Sequence, residues 1–159
     1  MSKGDTPFAP GSDEAGRLRL ESPAMLEAFN YPRRFWFIRL LGASLILGAL
    51  YDAAFAVLMV AAPELPHRLL RLPLPGADFY LHLIAVFLLM LAALYLTAAH
   101  DLRRYTGIVL VAIAGRLLGA AVLGWAAYAD PALSGLWPLA AADFAFGTVH
   151  AASWWMIRK

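Results

Sequence analysis

Apolar residues gather into four long stretches, Phe35–Ala62, Phe79–Ala99, Tyr105–Ala129 and Trp137–Ile157, with short connections between them. A helix that crosses a bilayer needs about 20 mostly apolar residues, and each stretch supplies them. The connections carry the chain's punctuation. Pro63 closes the first stretch, and Pro63 to Gly76 is too rich in proline to be helical throughout. It alternates apolar and basic groups, as a segment lying along lipid headgroups does. His100-Asp101-Leu102-Arg103-Arg104 is a tight turn, and Pro131, Ser134 and Gly135 turn the chain between the last two stretches. Short links make successive helices antiparallel neighbours. The pattern predicts an all-α, four-span antiparallel transmembrane bundle over residues 35–159, preceded by a polar leader over residues 1–34.

The leader mixes Gly, Pro, Ser, Asp, Glu and Arg without period. Within it, Ser22 suits an N-cap and Pro23 a first helical position, while Pro32 is expected to stop the helix. Met25, Leu26 and Phe29 would then give a short interfacial helix one apolar stripe. The first apolar run exceeds the 7 to 15 residues of a signal core, so it reads as a retained span. Tyr31-Pro32-Arg33-Arg34-Phe35-Trp36 has the basic and aromatic character of a membrane boundary.

Composition sharpens the class. Hydrophobic residues make up 62% of the 159 and charged residues 15%, against about 25% charged in an average soluble domain. The absence of cysteine excludes disulfides, iron–sulfur clusters and thiol catalysis. A net charge of +2 gives no case for nucleic acid as a partner. The distribution of charge says more than its sum. Arg33, Arg34, Arg39, Arg103, Arg104, Arg158 and Lys159 fall on one side of the predicted spans, and only Arg68 and Arg71 on the other. The positive-inside rule therefore predicts both termini in the cytoplasm, as in a multi-pass protein of a bacterial-type inner membrane.

Three spans contain a charge well inside them: Asp52 in the first, Arg116 in the third and Asp143 in the fourth. A charge at membrane depth costs about 2.5 to 3.5 kcal/mol on insertion scales, so such residues face the bundle interior and pair. Counting in from the non-cytoplasmic ends places His82, Asp143, Asp52 and Arg116 in one broad layer, each on a different helix. One guanidinium offers five donors in a fixed fork and can serve two carboxylates. The expectation is an Asp52–Arg116–Asp143 network with His82 at its outer edge. Asp143, Gly147, His150 and Trp154 share one stripe of the fourth span, and Gly115 with Gly119 forms a GxxxG pair on the third. Arg39-Leu40-Leu41-Gly42-Ala43 also echoes Arg116-Leu117-Leu118-Gly119-Ala120, although the two arginines lie at different depths.

No two histidines match in depth as bis-histidine haem ligation requires, and no set of residues has metal-ligand spacing. His150, beside Gly147 and Ala151, is the one position where a single histidine could hold a tetrapyrrole. A buried neutral imidazole is the simpler reading, and no cofactor is predicted. The serines lack a His and Asp at suggestive spacing. No catalytic motif stands out, and an enzyme acting on a lipid-soluble substrate ranks third among the readings.

Ala114-Gly115-Arg116-Leu117-Leu118-Gly119-Ala120, the four-span layout and the lack of large loops resemble the small bacterial DoxX-like membrane proteins. The resemblance covers roughly residues 36–157 and implies architecture; the family's best-known member is associated with a quinone-linked oxidoreductase. Small size, small-residue helix faces and the polar leader favour a non-catalytic accessory subunit of a larger membrane complex, with partner subunits or further copies of the chain around it. The alternative is a proton, quinone or small-solute pathway through the intramembrane Asp/Arg/His cluster. The two differ in that a pathway needs a cavity reaching the carboxylates.

Overall fold

The computed structural model describes residues 23–71 and 78–159, with side chains from Arg34 in the first stretch. Five α-helices and one 3-10 helix account for nearly all of them, and no strand occurs among the described residues. Helix α1 runs Pro23–Ala61, α2 Glu64–Leu70, α3 Asp78–His100 and α4 Thr106–Ala129; a 3-10 helix, Pro131–Leu136, leads into α5, Trp137–Arg158. Four helices are long and apolar enough to cross a membrane, over Arg34–Ala61, Asp78–His100, Thr106–Ala129 and Pro131–Arg158. The protein is a four-span antiparallel helical bundle.

The chain divides into two units, one ending at Trp36 and the other covering Phe37–Lys159. The first contributes the described start of α1. The helix is continuous across Pro32, against the stop expected there. A proline inside a helix removes one N–H donor and crowds the turn before it, yet the helix runs on. The expected stripe of Met25, Leu26 and Phe29 lies outside the described side chains, as does the leader before Pro23.

The second unit holds the bundle. Its connections are short and internally bonded. At the end rich in arginine, Asp101 Oδ1 accepts from the backbone N–H groups of Arg103 and Arg104 at 3.1 and 3.0 Å, which fixes the turn between α3 and α4. At the other end, here the loop end, Asp130 Oδ1 accepts from Ala132 N–H at 2.9 Å and caps the 3-10 helix. Gly135 in that helix lies against α2. A Cβ there would collide with the Leu70 carbonyl oxygen, so the backbones can meet only because the residue is glycine.

The buried core gathers toward the arginine-rich end. Leu41, Leu45 and Ala49 of α1 pack with Ala92, Tyr95 and Ala98 of α3 and with Val109 and Ala112 of α4, while Trp154 and Ile157 of α5 close the cluster. Alanines dominate these contacts, and small residues let membrane helices approach closely. Large apolar side chains elsewhere point outward, Leu118, Val122 and Phe144 among them, as lipid-facing positions do. Trp36, Trp125, Trp137 and Trp155 are exposed near the ends of the candidate spans, where aromatic belts form. The Arg39 and Arg116 segments are not structural equivalents, because Leu41 is fully buried while its counterpart Leu118 is 65% exposed.

Candidate functional site

Arg116 stands at the upper margin of that core, and both carboxylates converge on it. Its Nη1 donates to Asp143 Oδ1 at 2.5 Å, and its Nη2 to Asp52 Oδ2 at 2.7 Å and to the Gly48 carbonyl at 3.2 Å. The expected three-residue network is therefore present, drawn from α1, α4 and α5. It is mostly buried, with side-chain exposures of 1% for Asp52, 6% for Arg116 and 16% for Asp143. A charge taken from water costs several kcal/mol unless paired and hydrogen-bonded, and the fork of the guanidinium supplies both carboxylates with charge-assisted bonds.

Aromatic rings complete the enclosure. The rings of Tyr95, Phe146 and Tyr51 have centroids 5.2, 5.2 and 5.7 Å from the Arg116 Cζ, within cation–π range. Glycines make the approach feasible. A Cβ on Gly48 would lie 3.3 Å from Arg116 Nη2, one on Gly119 2.7 Å from Asp143 Oδ2, and one on Gly147 2.8 Å from Leu117 Cδ2. Gly115 has nothing within 4 Å of such a Cβ. The close contact thus uses Gly119 with Gly147 across two helices, and Gly115 of the GxxxG pair has no part in it.

The network floors a pocket of about 420 Å³ that extends to the loop end. Asp52, Arg116 and Asp143 line it together with Tyr51 and Phe55 of α1, Leu81, Ile84 and Leu88 of α3, Leu123 of α4 and Leu139 of α5. Pro63, Pro66, His67 and Leu136 of the connections form its far wall. The Tyr51 and Phe55 rings stack along one side with centroids 6.1 Å apart. A few converging polar groups in a mostly apolar concavity are the usual composition of a small-molecule site.

The structure corrects one residue of the expected layer. His82 is exposed and lines no part of the pocket. At about 100° per residue, the face of α3 that presents Leu81, Ile84 and Leu88 inward turns His82 away from it. The histidine on the pocket wall is His67, which the sequence had placed in a headgroup segment. A proline-rich connection gave no sign that α2 would fold inward over the bundle.

His150 lies on the core side of the network. It is fully buried, with ring centroids 6.4 Å from Tyr95 and 6.2 Å from Phe146, and it does not line the pocket. The hydroxyl of buried Ser153 has no hydrogen-bond partner among the described residues. The shared stripe of α5 is real, but Asp143 and His150 face different surroundings, one the pocket and the other the packed core. Among the described residues, no group of three or more His, Asp or Glu could hold a metal ion. No family model, curated protein or solved structure matches the chain.

Proposed function

We propose that the protein is a membrane-embedded binding protein for a small lipid-soluble molecule, held with its apolar body along the pocket and its polar head at the Asp52–Arg116–Asp143 floor. The observation that supports this is the pocket itself. A network serving only to fix helix register would be closed off, whereas this one is reached by a cavity of about 420 Å³, of the 300 to 1,000 Å³ typical of ligand sites. Both termini are cytoplasmic in this reading, by the arginine distribution, and the pocket faces the opposite side of the membrane.

The absence of native cysteine gives a clean test. In vesicles, a thiol at Leu139→Cys on the pocket wall should react with neutral hydroxyethyl methanethiosulfonate added from the pocket side. A thiol at lipid-facing Leu118→Cys should not. Equal resistance at the two positions would mean a closed interior and would reject the binding reading.

A second reading, an accessory subunit, draws on a separate feature. Leu117, Ala120 and Ala121 of α4 with Ala140, Ala141 and Phe144 of α5 line an outward groove. Small residues in such a groove suit a neighbouring transmembrane helix.

A further inference from the structure

We infer that the pocket selects an amphiphile whose head carries one positive charge, such as a protonated amine, over neutral or anionic amphiphiles of the same length. The inference rests on the binding reading and adds the ligand's chemistry to it. Two carboxylates share one guanidinium at the floor, which leaves one negative charge in excess in a mostly apolar lining. Buried charge without a counter-charge is costly, so an occupant that brings a cation relieves the floor and an anion adds to its burden.

The hydrogen-bonding capacity points the same way. Asp52 is 1% exposed, lines the pocket, and its Oδ1 has no partner among the described residues. Arg116 Nε and His67 Nδ1 of the lining also lack partners, but on the carboxylates of the floor the open position is an acceptor. Arg116, by contrast, is closed to an anion. Both Nη atoms are bonded to carboxylates, the Gly48 carbonyl takes a further contact, and three rings surround the guanidinium. Its Nε lacks a partner but sits inside that enclosure. The stacked rings of Tyr51 and Phe55 belong to the wall, and aromatic rings tolerate a neighbouring cation. The remaining ionisable groups of the lining are Tyr51 and His67.

The experiment uses the Leu139→Cys thiol as reporter, with decylamine, decanol and decanoate as competitors at equal membrane concentration and a neutral thiol reagent. Decylamine is expected to slow modification about tenfold more than decanol, the effect of one charge-assisted contact, and decanoate least of all. In Asp143→Asn with Leu139→Cys, which removes the excess negative charge, that advantage should vanish. If the amine and the alcohol protect equally, the charge inference falls while the binding reading stands. An amine advantage that survives Asp143→Asn also overturns it, since bilayer partitioning would then be the cause. If none of the three protects a reactive thiol, both readings fail together.

Discussion

At the scale of single residues, the decisive fact is that one arginine serves two acids from two other helices. Replacing Arg116 by leucine leaves two buried carboxylates without a counter-charge, and breaking a buried pair typically costs about 3 to 5 kcal/mol. We expect Arg116→Leu to destabilise by that order in detergent unfolding, and Arg116→Leu with Asp143→Asn to recover part of the loss. Strictly additive effects across the cycle would contradict the contact. Asp52→Asn should cost more than Asp143→Asn, because Asp52 is almost wholly enclosed and Asp143 borders the pocket. Gly119→Ala places a methyl 2.7 Å from Asp143 Oδ2 and should cost about 1 to 3 kcal/mol by overpacking. Gly115→Ala meets nothing and should be neutral or gain up to about 1 kcal/mol of helix propensity. The triad was legible in the sequence, since a charge in an apolar span must pair. The choice between His82 and His67 was not. It depends on how a proline-rich connection folds back, which no periodicity encodes.

At the scale of elements, the four spans follow from length and apolarity alone, and their observed bounds lie within a residue or two of the expected ones except where the 3-10 helix extends the last. The break expected at Pro32 did not occur, because one missing donor is a small loss in a helix of 39 residues. The connections proved more structured than their composition suggests. Asp101 and Asp130 hold their turns with side-chain caps, and Gly135 lets the 3-10 helix touch α2. Gly135→Ala would drive a methyl into the Leu70 carbonyl, so the two segments must part. We expect a loss of about 1 to 3 kcal/mol, together with faster modification of the Leu139→Cys thiol, because Leu136 and Pro66 on that side wall the pocket. Unchanged reactivity would show that this contact does not shape the pocket.

At the scale of the molecule, the bundle is packed with alanine and leucine toward its arginine-rich end and hollow toward its loop end, and the ion network stands between the two. Sequence reasoning found the charged layer but not the hollow beside it. Residues such as Phe55, Ile84 and Leu139 look alike whether they face lipid or a cavity, and only helix placement separates the cases. Orientation carries its own prediction. Reporter fusions after Lys159 and within residues 63–76 should report opposite sides of the membrane, the first cytoplasmic. A non-cytoplasmic C-terminus would turn the pocket to the other face. The central claim is that a small molecule, rather than another protein, completes this site. The most direct measurement is native mass spectrometry of the full chain released in mild detergent from its own membrane, beside Asp143→Asn. The account predicts a small cationic amphiphile bound one to one and lost in the variant. A stable partner chain in fixed stoichiometry, with the pocket vacant in both proteins, would contradict it.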